Sequence, residues 1–433
     1  MDDTRQSFSS FYQPSFFRMN LATPESVSDL NNFPERVWPA YLHEYIHFLQ
    51  DISTSDGLSN AATAVNYIRY GVNCLKEEKQ LPLQVLPDAI IAPQQQLREI
   101  YLGAGLKQNP QNKNIISVRL EDSGVVLPDG QIPKQVIIEF ASGEQFPLGS
   151  FWLCESMANI AEGIIYPQDK IPVRVAYHAA ELVVQHLYPQ LANQNRENIL
   201  ALCDASLLFW HPGQSFYLTL RKMQQEQWLP NAPEDIYEFS QQAIDFTYEE
   251  VSTVEGLLAY SAAQAIEFIS STFTADVFAV NAQWIREVIL RAELLRNKQP
   301  AFILQLVRGG HLKTNRFFGW LLGWLGSPLT TNNDDEGSLA PMNDFDNAAS
   351  INPDLFRAMR QVLSLFREGK VSCEMKSYCQ RSQEEVGNLD FVDSRCNNAP
   401  WQRCTDQELC AFGAIWRMWG LTDVVPHFAN SAT

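Results

Sequence analysis

Nowhere in this 433-residue chain does an uncharged apolar run approach the roughly 20 residues needed to cross a bilayer. The longest, Phe317 to Gly326, reaches roughly half of that, and its Gly319 and Gly323 point to close helix packing instead. The first residues, Met1-Asp2-Asp3-Thr4-Arg5, lack the basic and then apolar segments of a secretory leader, so the expectation is a soluble, cytoplasmic protein without a membrane span. Runs of Lys or Arg are missing too. With 32 basic against 50 acidic residues and a net charge of −18, most of the surface repels a phosphate backbone, which excludes nucleic acid as a partner. There is no internal repeat, and Gly103-Ala104-Gly105 lacks both the third glycine and the preceding strand of a dinucleotide fingerprint.

Closely paired cysteines are also absent. Five of the eight, Cys373, Cys379, Cys396, Cys404 and Cys410, nevertheless fall within 38 residues near the C-terminus. In a cytoplasmic chain such clustering suggests a metal before a disulfide. The intervals of five, sixteen, seven and five residues are looser than the opening pair of most structural zinc sites. Zinc, an iron–sulfur cluster, or buried thiols supporting a small unit that ends in Ala411 to Trp419 all remain open.

What the chain does carry is His43-Glu44-Tyr45-Ile46-His47, an H-E-x-x-H string flanked by the uncharged Tyr41, Leu42, Phe48 and Leu49. On a helix, side chains four apart share a face, so two imidazoles in this register can reach one tetrahedral ion. Glu44 then lies where a carboxylate can take a proton from water on that ion. The string resembles the zincin metallopeptidases. That resemblance covers about a dozen residues and implies Zn2+ as cofactor, His43 and His47 as ligands and Glu44 as general base.

A third ligand has to come from elsewhere. The metzincin extension fails, because Gln50 and Ser53 stand where it asks for Gly and His. Gluzincins draw a glutamate from a later helix, and two segments qualify. In the first, which Ser150 could cap, Glu155, Ala158, Asn159 and Glu162 share a face, and the small Ala158 permits close approach to the metal helix. Glu155 is the preferred ligand. Glu255, in Thr253-Val254-Glu255-Gly256-Leu257-Leu258-Ala259-Tyr260, is the alternative, similar to several gluzincin third-ligand helices. Asp51, one turn beyond His47, is a candidate to hold a ligand histidine by its second nitrogen. Tyr177, His178 and Tyr260 are candidate donors to an oxyanion.

The expected fold is mainly α with a small antiparallel β-sheet, an α+β arrangement around a zincin-like core. Residues 1–113 hold an irregular arm, packed by its aromatics up to about residue 34, and the metal-helix region with a break at Ser55-Asp56-Gly57. Residues 114–148 read as the small sheet, with strands at Ile115 to Leu120 and Val136 to Phe140. The resemblance implies that the sheet flanks the cleft and pairs with an extended peptide. Residues 149–330 read as helical, with 235 to 270 a long run central to the core. Residues 331–433 hold a solvated linker, whose Asn332 to Gly337 lacks the last ligand of a calcium loop, and the cysteine-rich region.

The function these features imply is peptide-bond hydrolysis by a zinc metallopeptidase acting on a peptide or protein, restrained by narrow specificity, a closed cleft or an activating protein partner. The rival readings are a metal-stabilised scaffold protein and a zinc hydrolase of a non-peptide amide.

Overall fold

The computed structural model describes residues 10–15, 17–78, 82–83, 92–103, 113–128, 130–167, 175–245, 251–386 and 392–428. It is mainly helical, with a small antiparallel sheet. Helix α1 (Trp38–Ser53) lies at its centre. Pro39 fits there because an amide in the first helical turn has no intrahelical partner to lose. Tyr41, Leu42, Tyr45, Ile46, Phe48, Leu49 and Ile52 are fully buried, so apolar residues cover most of the helix circumference, as a helix packed on several sides requires. After α2 (Ser55–Glu78) and α3 (Ala92–Leu102) come α4 (Ser150–Ile165) and α5 (Val175–Leu187). Helices α2 and α4, together with the helix Asp276–Lys298, enclose α1.

The break after α1 is a single extended residue, Thr54, and the Ser55-Asp56-Gly57 expected to form it is instead the first turn of α2. Thr54 Oγ1 donates to the Gln50 carbonyl at 2.7 Å and accepts the Gly57 amide at 3.0 Å, closing both helix ends. A β-carbon on Gly57 would sit 2.5 Å from the Asp51 Cα, so only glycine permits this corner.

Nine strands form three sheets among the described residues: β1 (Phe11–Gln13), β2 (Arg18–Asn20), β3 (Pro82–Leu83), β4 (Ile115–Asp122), β5 (Lys134–Phe140), β6 (Gln145–Leu148), β7 (Leu329–Thr331), β8 (Gly337–Ser338) and β9 (His427–Phe428). The expected small sheet is β4-β5-β6, antiparallel throughout. Its third strand carries Pro147, tolerated because β6 is an edge. The parallel pair β3-β9 is the smallest sheet.

Among the described residues the arm is only partly irregular. Its aromatics do pack, with Phe17 edge-on to Phe48, Trp284 and Phe356, but it also forms the sheet β1-β2-β7-β8. Strand β2 runs parallel to β7 from Arg18 opposite Leu329 to Asn20 opposite Thr331. This pairing buries the start of the expected linker: Thr331 and Asn332 are fully buried, and the Asn332 side chain accepts the Asp334 and Glu336 amides and donates to the Glu25 carbonyl, while Asn333, Asp334, Glu336 and Gly337 stay exposed.

The run from 235 to 270 divides into the helices Asp235–Ala243 and Val254–Thr272, the second N-capped by Thr253, whose hydroxyl accepts the Gly256 amide at 3.0 Å. Both contribute to the core, through Ile236 and Phe239 and through Leu258, Ala262 and Ile269, and Val254–Thr272 packs on α2 and on Asp276–Lys298. In helix Arg316–Leu325, Gly323 abuts Asn343, but Gly319 meets open space, so only one of the two glycines serves close packing. No described helix is long and apolar enough to cross a membrane. Near the C-terminus, helix Pro353–Glu368 packs against α2 and against helix Ala411–Met418, and one continuous apolar core runs from Phe17 to Val424.

Candidate metal centre

Helix α1 presents His43 and His47 one turn apart on its face toward α4. Glu155 meets them there. Its carboxylate lies 3.4 Å from His43 Nε2 and 3.7 Å from His47 Nε2, and the three groups place one donor atom each within 4.8 Å of one another. The other ring nitrogens are held from behind. His43 Nδ1 donates to Glu162 at 3.2 Å, and His47 Nδ1 donates to the Gln50 side-chain carbonyl at 2.8 Å. A proton fixed on Nδ1 leaves the Nε2 lone pair aimed at the shared centre, as a metal-ligating imidazole requires.

The charge balance points the same way. Burial alone would pull His43 down, but hydrogen bonds to Glu155 and Glu162 and the nearby charges of Glu44 and Glu155 push it up to about 10. Without a cation, His43 keeps a proton between two carboxylates. Burial lowers His47, which favours its neutral ligand form. Glu44 is 5% exposed; burial first, then the charges of Glu155 and Glu162, raise it to about 7 against the pull of His43 and of the Tyr12 amide. Two imidazoles and a carboxylate form a zinc donor set with a coordination position left over, and the residues present fit that ion.

A cavity of about 490 Å³ opens beside these groups. His43, Glu44, His47, Glu155 and Tyr177 are on its wall, as are residues of β1. The ring of Tyr12 stacks on His47, and Tyr177 meets His43 edge-on at 5.7 Å. No residue of β4, β5 or β6 lines the cavity, so the strand beside the cleft comes from the N-terminal arm and not from the expected sheet.

Several expected roles change. Glu255 is exposed in the first turn of Val254–Thr272 and is outside the donor group. Asp51 holds no ligand histidine; it accepts the Tyr12 hydroxyl at 2.9 Å and the Ser15 amide at 2.6 Å, tying the arm over α1. That anchor stabilises a tight turn in which Ser15 and Phe17 both have positive φ. Gln50 does the work assigned to Asp51. Ser150 does not cap α4: Gly149 is the N-cap, and the Ser150 hydroxyl is buried without a partner. Tyr260 packs on Trp210, away from the cavity, and His178 is not on its wall either. Tyr12 and Gln50 were missed because one lies in the arm and the other shows no pattern; Glu162 was visible on the Glu155 face of α4.

Of the five clustered cysteines, Cys373, Cys379, Cys396 and Cys410 surround a second, small cavity, whereas Cys404 turns toward the Thr422 carbonyl. No family model, curated protein or solved structure matches the chain.

The backing of the imidazoles makes a prediction. Glu162→Gln and Gln50→Ala each weaken Zn2+ binding by about 10- to 100-fold, the usual cost of losing a group that orients a ligand. Competition against a chromophoric chelator measures this. Unchanged affinity in both variants would show that neither group orients its histidine.

Proposed function

We propose that the protein is a zinc-dependent peptidase in which His43, His47 and Glu155 hold the ion and Glu44 is the general base. The observation that carries this reading is the convergence of both Nε2 atoms and the Glu155 carboxylate on one cavity wall, with Glu44 next to them. Bound there, zinc polarises a carbonyl and makes water more acidic. Glu44, beside the donor group on the cavity wall, accepts the proton of the attacking water and returns it to the departing amine. Tyr177, the one oxyanion candidate on the cavity wall, is assigned to the carbonyl oxygen. Phe11, Tyr12 and Phe151 give the cavity apolar surface for side chains, while Arg360 and Arg367 suit a carboxylate of the peptide.

Removal of metal tests the proposal. Chelator-treated protein is expected to leave a mixed peptide library intact, and adding back one equivalent of Zn2+ to restore cleavage, read by mass spectrometry. A library left uncut by protein with a full complement of zinc would remove the peptidase assignment and favour a non-peptide amide.

A further inference from the structure

We propose that Cys373, Cys379, Cys396 and Cys410 hold an iron–sulfur cluster, a second metal centre separate from the histidine–glutamate site. Four short segments between residues 373 and 410 bring the side chains to the wall of one cavity of about 20 Å³, otherwise lined by Met375, Lys376, Val392, Pro400, Arg403 and Phe412. The Cys373 amide donates to the Cys396 carbonyl at 2.8 Å and joins two of these segments. All four are free thiols.

Two of the sulfurs accept N–H donors. The Gly413 amide reaches Cys410 Sγ at 3.3 Å, and Arg403 Nη1 lies 3.3 Å from Cys396 Sγ. A neutral thiol is a poor acceptor, whereas a cluster-bound thiolate is stabilised by such bonds. Arg403 is 4% exposed and also pairs with Asp406 at 3.1 Å, so a fixed cation stands beside a site that becomes anionic when four thiolates form.

Spacing separates the two candidate metals. Four thiolates on one zinc, with bonds of about 2.3 Å, lie about 3.8 Å apart and leave no space for a water-sized sphere between them. Here no three of the sulfurs come within 4.8 Å of one another, and the cavity admits such a sphere. A [4Fe–4S] cluster binds one cysteine per iron and interposes its own iron and sulfide, so its four cysteine sulfurs stand farther apart than four on one zinc. Assembly forms a bond from each cysteine sulfur to iron and releases one proton per thiol. No redox step is assigned to the cluster, whose place under Ala411–Met418 makes it a staple for the C-terminal segment.

The test is elemental analysis of the full chain purified without oxygen and, if it emerges bare, treated with iron salts and sulfide. Iron and acid-labile sulfide in equal amounts, about four of each per chain, with visible absorption that bleaches on reduction, is the expected result. Cys379→Ser and Cys396→Ser lose the iron, whereas Cys404→Ser keeps it. Retention of zinc at His43, His47 and Glu155 in these variants reports that the rest of the chain is folded. Zinc held by the four thiols without sulfide, or four freely alkylated thiols after iron and sulfide treatment, overturns the proposal.

Discussion

Replacing Glu44 by glutamine is expected to leave zinc bound at one ion per chain and to lower kcat on a cleaved peptide by about 10²- to 10⁴-fold, the range that a positioned proton acceptor contributes. The amide keeps the shape of the side chain and its place on the cavity wall but cannot take a proton. KM should change little, because Glu44 is beside the donor group and is not one of its members. Wild-type kcat/KM should show an acid limb below pH 7, since a bound dication lowers Glu44 from the value of about 7 that burial sets in the metal-free protein; the variant loses that limb. Stability moves in the opposite direction. A carboxyl raised from 4.5 to about 7 on folding supports the fold fully below pH 4.5, and that contribution is lost as pH rises through 7. Metal-free Glu44→Gln should therefore be more stable than metal-free wild type at pH 8, by about 3 kcal/mol. Retained cleavage in the variant would remove Glu44 from its role, and loss of zinc would show that the substitution damaged the site instead.

How far the site was legible from sequence follows from how local each interaction is. His43, Glu44 and His47 are one helical turn, and a helix presents i and i+4 together whatever surrounds it. Glu155 was legible because small residues beside it let α4 approach α1. The choice between Glu155 and Glu255 was not, since both are carboxylates early in apolar helices and only the packing of α4 on α1 decides which one arrives. Asp51 shows the same limit. Its position on α1 faces the cavity, but its partners come from residues 12 and 15, in an arm whose three-residue strands are too short to show a period. The buried side chain of Asn332 is equally opaque. In a run of Asn, Asp and Glu it reads as solvated like its neighbours until β2 pairs with β7 and makes it the capping partner of the Asp334 and Glu336 amides.

The largest loss of stability is expected from Asp204→Ala, about 3–5 kcal/mol in urea unfolding, and its cause lies at the C-terminal end of α1. Asp204 is fully buried and receives Arg296 through two bonds, of 2.6 and 3.0 Å, while the Tyr237 hydroxyl adds another at 2.6 Å. Arg296 in turn donates to the Ser53 carbonyl at 3.1 Å and to the Ser53 hydroxyl at 3.0 Å, and its guanidinium covers the Phe302 ring. Alanine leaves that cation buried without its counter-charge, and the carbonyls that remain cannot neutralise it. Tyr237→Phe, which removes one hydrogen bond and no charge, should cost only about 1 kcal/mol. Removing both charges, as in Asp204→Leu with Arg296→Met, should cost less than Asp204→Ala alone, because no lone ion is left in the core. A double variant as damaging as the single one would mean that the Ser53 contacts, and not the charge pair, hold this junction. In that case Zn2+ affinity should fall in the double variant and not in Asp204→Ala, since the C-terminal turn of α1 would have lost its anchor only where Arg296 is gone.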